Sequence, residues 1–282
     1  MPYSAELSRT NPTALIFLID QSSSMAESFG AQPGKPKAEG VADSINRLLQ
    51  NLVLKCAKGD GIRDYFHVGV IGYGGRVGWA LAGSLAGQKL VPISAIASNP
   101  LKVEQRTRKV DDGAGGLVEQ KFKFPIWFEP VAVGKTPMCQ ALTEATAALE
   151  QFIGRFPGAF PPMVINITDG RATDGNPELP AAKVRNLATS DGNVLVFNAH
   201  LSSKSVRPIE FPSQESELPD PTAVTLFRMS SVLPPKLRDA ALAEGFIFVD
   251  NSTRGFVFNA DLVSVIRFLD IGTRAAQTVR QI

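Results

Sequence analysis

Five side chains with oxygen donors stand where apolar segments end or where a helical pattern begins. The set comprises Asp20, Ser22, Ser24, Thr136 and Asp169. Carboxylate and hydroxyl oxygens are the ligands that hard cations such as Mg²⁺ prefer. The first three residues follow the apolar run 14–19, and the last follows the run 163–168. Because a parallel sheet binds its ligands at the carboxyl ends of its strands, the sequence predicts that these oxygens meet at one edge of one sheet.

Each of these residues also has an ordinary structural interpretation. An Asp after a strand is common in turns, and the two serines can cap the loop that follows it. Thr136 before Pro137 is a favoured pairing at the start of a helix, and Asp169-Gly170 is a common turn dipeptide. The ordinary interpretation suffices for any one residue. It does not explain why three hydroxyls and two carboxylates are all predicted at the same sheet edge.

Near-continuous apolar runs predict the strands that must position these oxygens. The predicted strands cover residues 14–20, 66–73, 163–168, 194–200 and 246–250. Apolar stripes with helical spacing predict helices over residues 38–56, 137–153, 177–190, 235–244 and 259–270. Strands without apolar–polar alternation are typical of a parallel sheet that is covered on both faces. The sequence therefore predicts an α/β fold with a doubly wound, mostly parallel sheet and helices on both faces.

Two segments interrupt the alternation of strands and helices. Residues 74–132 are too many for a connection without structure of its own, and within them the alternating segment 118–124 is predicted to be an exposed strand. Residues 202–222 contain four prolines and are predicted to be a surface loop. We expect a single domain over residues 1–282, with an elaborated insertion around 74–132 and a Pro-rich surface loop around 202–222.

The order and local contexts of the five oxygen donors resemble the metal-ion-dependent adhesion site (MIDAS) of von Willebrand factor A (VWA) domains. The specific parts are Asp20-Gln21-Ser22-Ser23-Ser24, Gly134-Lys135-Thr136-Pro137 and Thr168-Asp169-Gly170, and the resemblance extends over residues 13–271. It implies a Rossmann-like VWA fold with one antiparallel edge strand, which we expect within residues 74–132. Residues 226–234 are similar to bacterial A-domain proteins of the tellurium-resistance (TerY-like) group.

The resemblance implies recognition of another protein through a metal ion rather than catalysis. Ser22 and Ser24 would bind Mg²⁺ directly, and Mn²⁺ also suits this ligand set. Thr136 and Asp169 would vary with conformational state, and one or both carboxylates would act through water. One coordination position would then remain for an Asp or Glu side chain of a partner protein. TerY-like relatives imply a protein kinase or phosphatase as this partner, in stress response or defence. The Gly-x-Thr-Pro-Met loop also resembles chelatase-type A domains, which implies an AAA+ ATPase as the alternative partner.

Partner choice must come from the surface around the metal, because any accessible carboxylate suits the metal itself. Residues 74–132 end beside the predicted site, so we expect them to border it. Arg106, Arg108 and Trp127 are residue types that are favoured at interface hot spots, and they form the predicted partner-binding rim. The alternative is that Trp127 belongs to the core and that both arginines are merely solvated.

Composition limits the classes of partner. The net charge is only +2, which gives no strong general attraction to nucleic acid. No apolar run approaches the roughly 18 residues of a membrane span. Cys56 and Cys139 offer no disulfide framework, and residues 1–10 lack an apolar signal core. We therefore expect a cytoplasmic protein that binds neither nucleic acid nor membrane.

Enzymatic interpretations fit the residues less well. A haloacid-dehalogenase-type phosphotransferase needs Asp-x-Asp after its first strand, whereas position 22 is Ser. A serine hydrolase needs a base near its nucleophile, and no Gly-x-Ser-x-Gly elbow accompanies His67 or His200. We expect a binding module without enzymatic activity, with a metal-dependent phosphoester hydrolase as the alternative.

Overall fold

The computed structural model describes residues 3–28, 34–111, 116–201, 208–243, 245–246 and 250–260. Within these ranges the strands of the main sheet and of a long hairpin are β1 (Thr13–Asp20), β2 (Phe66–Tyr73), β3 (Val77–Trp79), β4 (Val91–Pro92), β5 (Lys102–Asp111), β6 (Leu117–Ile126), β7 (Met163–Thr168), β8 (Leu195–Leu201), β9 (Ile209–Glu210) and β10 (Phe256–Ala260). The helices are α1 (Lys37–Cys56), α2 (Ile93–Ser98), α3 (Met138–Arg155), α4 (Glu178–Asn186), α5 (Pro221–Met229) and α6 (Pro235–Ala243). None of these helices combines the length and the apolar character that a membrane span needs.

In the described ranges, β1 lies inside a sheet with the strand order β9-β10-β8-β7-β1-β2-β3, and β4 also pairs with β2. The pairs along β10-β8-β7-β1-β2 are parallel. Antiparallel strands close both edges, where β3 and β4 pair with β2 and β9 pairs with β10. The chain passes from β1 to β2 on one side and later returns to β7 on the other side of β1. The carboxyl ends of β1 and β7 therefore form the topological switch point, where open α/β sheets bind ligands.

Both faces of the sheet are covered, because successive side chains of a strand point to opposite faces. Leu15, Phe17 and Ile19 of β1 pack in the cluster that contains α1, α2 and α6. The intervening residues, Ala14 and Ile16 among them, pack in the cluster that contains α3, α4 and α5. This arrangement confirms the predicted doubly wound, mostly parallel α/β fold.

The fifth parallel strand comes from a different segment than predicted. Residues 256–260 form β10 beside β8, so the predicted helix 259–270 is wrong at residues 259–260, and its remainder lies outside the described residues. Most of the predicted strand 246–250 lies outside them too. Aromatic and β-branched residues in Phe256-Val257-Phe258 favour a strand. The apolar stripe assigned to a helix from residue 259 includes the last two residues of this strand.

Residues 74–132 contain more regular structure than predicted. The antiparallel edge strand that was predicted within residues 74–132 is present as β3. The alternating segment 118–124 is also a strand, as predicted. That segment belongs to β6, which pairs over its full length with β5 in a separate two-stranded hairpin. The charged run 102–109 makes up most of β5. Its polarity concealed a strand because most residues of both hairpin strands face solvent.

The Pro-rich segment around 202–222 is only in part the predicted loop. Residues 202–207 lie outside the described residues, 209–210 form β9, and α5 begins at Pro221. Asp220 caps α5, because its side chain accepts a hydrogen bond from the backbone N–H of Ala223 at 2.9 Å. A proline at the first helical position is favourable, so Asp220-Pro221 starts a helix rather than extending a loop.

Candidate metal centre

Asp20 ends β1 and is completely buried at the switch point. One carboxylate oxygen accepts a hydrogen bond from the backbone N–H of Ser22 at 2.8 Å. The other accepts one from the hydroxyl of Thr168, the last residue of β7, at 2.6 Å. Burial raises the pKa of Asp20, although the hydrogen bonds from Thr168 and Ser22 oppose this effect. A nearby cation would offset the cost of keeping this buried carboxylate charged.

The hydroxyls of Ser22 and Ser24 connect Asp20 with Asp169. Oγ of Ser22 lies 3.0 Å from Oγ of Ser24, and Oγ of Ser24 donates to Oδ1 of Asp169 at 2.8 Å. A 3₁₀ turn over Ser23–Ala26 directs Ser24 back towards the end of β7. The structure thus brings four of the five predicted residues into one hydrogen-bonded chain, Asp20–Ser22–Ser24–Asp169.

Thr136 lies beside this chain, in the loop before α3. Gly134 of this loop donates its N–H to Oγ of Ser23 at 3.0 Å, and Ser23 donates its own N–H to the carbonyl of Gly134 at 3.1 Å. Thr136 is buried and donates its N–H to Oγ1 of Thr173 at 3.0 Å. These bonds attach the loop that carries Thr136 to Thr173 and to Ser23, which lies between two of the candidate ligands in the chain. In the described structure no hydrogen bond joins the hydroxyl of Thr136 to the other four candidate ligands.

Glycines allow three backbone segments to approach closely: the loop before α3, the segment after β2 and the segment after β1. Gly134 has φ +89°, and a Cβ there would lie 2.5 Å from Cα of Gly75, just after β2. A Cβ on Gly74 would lie 2.7 Å from the carbonyl oxygen of Val133. Val133 in turn donates its N–H to the carbonyl of Gln21 at 2.6 Å. Only glycine suits these positions, because any side chain would displace the loop that carries Thr136.

Asp174 fixes the start of α3 from the opposite side. Its carboxylate accepts hydrogen bonds from the backbone N–H groups of Cys139 at 3.1 Å and Gln140 at 2.9 Å. These are N–H groups of the first helical turn, which lack partners inside the helix. The loop after β7, which begins with Asp169, is thereby hydrogen-bonded to the start of α3, which follows Thr136.

Lys37, the first residue of α1, places an ammonium group against the site. Its Nζ donates to Oδ2 of Asp169 at 2.9 Å and to Oε2 of Glu27 at 3.0 Å. The side chains of Lys37 and Asp169 are 4% and 1% exposed, whereas that of Glu27 is 61% exposed. The sequence analysis missed Lys37 and Glu27 because they lie outside the motifs. A lysine is rarely buried unless it is paired, so its burial is visible only in the folded chain.

The donor set fits a hard divalent cation. Neighbouring oxygen ligands of an octahedral Mg²⁺ lie about 3.0 Å apart when each metal–oxygen bond is about 2.1 Å. The separations of 3.0 Å between the serine hydroxyls and 2.8 Å between Ser24 and Asp169 are of this size. Among the described residues, no three His, Cys, Asp or Glu side chains converge as a metal site. The candidate centre therefore depends on its hydroxyls as much as on its two carboxylates.

The predicted partner-binding rim needs correction at Trp127. This side chain is 2% exposed, and its indole N–H donates to the carbonyl of Ile96 at 2.6 Å. Trp127 is therefore a core residue that cannot contact a partner, as the alternative interpretation held. Arg106 and Arg108 lie on the β5–β6 hairpin, where Arg106 pairs with Asp43 of α1 at 2.8 Å. Neither arginine forms a hydrogen bond to the five candidate ligands within the described structure.

Comparisons with protein-family models and with curated proteins gave no match. Similar solved structures include proximal thread matrix protein 1 from the mussel byssus, with 14% identity and a TM-score of 0.42 over 80% of this chain and 41% of that chain. The vWF domain of the type V pili tip protein Mfa5 from Porphyromonas gingivalis has 14% identity and a TM-score of 0.31, over 57% of this chain and 39% of that chain. The PilB minor pilin from Streptococcus sanguinis has 12% identity and a TM-score of 0.31, over 60% and 31%. This chain thus spans less than half the length of each, and its fold assignment depends on its own strand order.

Proposed function

We propose that this chain is a protein-binding module with a MIDAS-type site that captures an Asp or Glu side chain of a partner through Mg²⁺ or Mn²⁺. Ser22, Ser24 and Thr136 would hold the cation, and Asp20 and Asp169 would supply negative charge. The cation, when bound, offers a Lewis-acidic position to the partner's carboxylate. The observation that carries this proposal is the hydrogen-bonded chain Asp20–Ser22–Ser24–Asp169 at the switch point of the sheet.

Charge at the site favours an acidic partner. Lys37 pairs with the buried Asp169 and with the exposed Glu27, so of the two buried carboxylates only Asp20 has no ion-pair partner among the described residues. Like charges and desolvation both act strongly where side chains are this buried. A carboxylate delivered by a partner would add buried negative charge next to the cation, where the exposed Glu27 is screened by solvent.

The first test is calorimetric titration with MgCl₂. We expect the wild-type chain to bind one ion and the Ser22→Ala/Ser24→Ala variant to bind none, because both hydroxyl ligands are removed. Ser98→Ala is the matched control, since Ser98 has an exposed hydroxyl on α2 whose one hydrogen bond within the described residues is to its own helix, at 3.0 Å. Metal binding that survives the double substitution would refute the assignment of these ligands.

The second test concerns the partner. Proteins that contact the site should be retained by the immobilised chain in Mg²⁺, be released by EDTA, and fail to bind the Ser22→Ala/Ser24→Ala variant.

We propose the cytoplasm as the compartment, because Cys56 and Cys139 are both free thiols and free thiols persist in reducing compartments. A protein kinase, a phosphatase of a TerY-like stress-response system and an AAA+ ATPase are the partner classes to examine first.

A phosphoester hydrolase is the alternative that the same site permits. Hydrolysis of p-nitrophenyl phosphate in Mg²⁺ or Mn²⁺ separates the two functions. We expect no turnover above that of the Ser22→Ala/Ser24→Ala variant, because position 22 carries a hydroxyl where phosphotransferases of the Asp-x-Asp type need a general acid–base carboxylate. Metal-dependent turnover that the double substitution abolishes would favour the hydrolase.

A further inference from the structure

A cleft of about 590 Å³ lies between α1 and the β5–β6 hairpin. One wall is a stripe of α1, in which Asp43, Arg47, Gln50 and Leu54 follow each other at helical spacing. The other wall is the face of the hairpin that carries Arg106, Arg108, Phe122 and Phe124. The stripe on α1 is about 16 Å long at 1.5 Å per residue, which an extended peptide of about five residues matches.

The base of the hairpin is firmly attached to α1, so the cleft has a defined shape. Oδ1 of Asn46 accepts hydrogen bonds from the backbone N–H groups of Trp127 at 2.8 Å and Phe128 at 3.1 Å. Nδ2 of Asn46 donates to the carbonyl of Phe128 at 2.8 Å. Asn46 is 1% exposed, and a buried amide whose oxygen and nitrogen are both hydrogen-bonded gives directional attachment.

Positive charge dominates the cleft. Its lining contains the cations Lys35, Arg47, Arg106, Arg108 and Lys123 but only one carboxylate, that of Asp43. Lys35 and Arg106 share Asp43, at 2.6 Å and 2.8 Å. Within the described residues, Arg47 and Lys123 form no ion pair, and Arg108 bonds only to the neutral amide of Gln120 at 2.8 Å. Three cations in this described cleft therefore lack a counter-charge.

The apolar surface of the cleft suits a peptide better than a nucleic acid. The guanidinium of Arg106 lies 3.9 Å from the ring centre of Phe124, and that of Arg108 lies 5.5 Å from the ring centre of Phe122. A guanidinium lies over one face of each ring, which leaves less aromatic surface to stack on bases as single-stranded nucleic acid requires. Leu54 is 65% exposed at the end of the stripe and offers a contact to an apolar side chain.

The geometry points to a second docking surface, in which this cleft binds an acidic peptide segment with apolar side chains. Its carboxylates pair with Arg47, Arg108 and Lys123, and an apolar side chain packs on Leu54. This surface is independent of the cation site and goes beyond the proposed function, because none of its contacts involves the candidate metal ligands. Its failure would therefore leave the metal-dependent capture of a carboxylate untouched.

The test is fluorescence polarisation in EDTA with a labelled peptide of about eight residues that alternates Glu with Leu. We expect saturable binding that weakens with salt, and at least about a tenfold loss of affinity in Arg47→Glu/Arg108→Glu, which reverses two unpaired charges. Lys58→Glu/Lys236→Glu is the matched control, because it makes the same change in net charge at exposed positions outside the cleft. The control should bind like the wild type, and circular dichroism should show that both variants are folded.

Three results would overturn this inference. The peptide could bind no better than its analogue with Gln in place of every Glu, which would remove the role of charge. The control variant could lose as much affinity as the cleft variant, in which case the attraction is general and not local. A DNA duplex could compete as well as the unlabelled peptide, which would assign the cleft to polyanions at large.

Discussion

Lys37 stands in an unusual place for a cation. It is the first residue of α1, where the helix dipole disfavours positive charge, and it is buried against a carboxylate of the candidate metal centre. Its hydrogen bonds to Asp169 and Glu27 offset both the unfavourable helix dipole and the burial of the ammonium group. Lys37 thus acts as a built-in counter-charge that holds Asp169 in place when no other cation is near.

A Lys37→Met substitution should therefore have two opposite effects. Without metal, it leaves the buried Asp169 unpaired, and we expect the free energy of unfolding to fall by about 3 kcal/mol. With the competing ammonium removed, the affinity for Mg²⁺ should rise by at least about tenfold. Melting curves in EDTA and in Mg²⁺, together with calorimetric titration, measure both effects. Weaker Mg²⁺ binding in this variant would instead mean that Lys37 serves mainly to orient Asp169 for the metal.

At the scale of elements, a row of buried polar side chains crosses the sheet from β2 to the end of α5. The hydroxyl of Tyr73 donates to Asn166 at 2.6 Å, and Asn166 donates to Asn198 at 2.9 Å. Asn198 donates to the hydroxyl of Ser230 at 2.9 Å, just after α5. All four residues are fully buried, and Tyr73 is the register partner of Asp20. The row therefore fixes the lateral order of the strands beside the metal centre.

A substitution in this row should lower the free energy of unfolding more when it leaves more buried polar groups without a hydrogen bond. Asn166→Ala removes a bond to Tyr73 and one to Asn198, so we expect the free energy of unfolding to fall by about 2–4 kcal/mol. Tyr73→Phe removes one hydroxyl and should cost about 1–2 kcal/mol. Denaturant titration of both variants measures the difference. An equal loss of unfolding free energy in the two variants would show that the bond between Asn166 and Asn198 adds nothing beyond the bond between Tyr73 and Asn166.

For the whole molecule, the two described histidines make stability depend on pH. Burial lowers the pKa of His200 to about 4 from 6.5, and its ring stacks on Phe258 with 4.6 Å between ring centres. Burial also lowers the pKa of His67, which packs against Phe152 and Phe156. Between the folded and unfolded pKa values, the unfolded chain binds protons that the folded chain excludes.

We therefore expect the free energy of unfolding to fall as the pH is lowered from 6.5 towards 4. His200 alone contributes up to about 3 kcal/mol to this loss. Denaturant titrations over this pH window should show a flatter profile for His200→Gln than for the wild type, because glutamine does not titrate. An identical profile in the variant would place the pH dependence on other groups.

Local sequence was enough to predict most of the framework. Apolar runs with strand length located β1, β2, β7 and β8, and helical stripes located α1 and α3, because burial on a two-sided sheet demands these patterns. The prediction that Asp20, Ser22, Ser24 and Asp169 meet followed from their positions at strand ends, and the hydrogen bonds place them together. Their function as metal ligands stays a prediction.

Tertiary structure alone decided which charged groups face each other. No local pattern shows that Lys37 meets Asp169, because the two are far apart in the chain and only the fold brings the start of α1 to the end of β7. The hairpin formed by β5 and β6 carries its charges on exposed faces, so its strands lack the apolar signal that identifies buried ones. The core position of Trp127 was likewise fixed by packing, since a tryptophan suits a core and an interface equally well. Sequence sets which residues must be buried, and the fold sets which partners they find there.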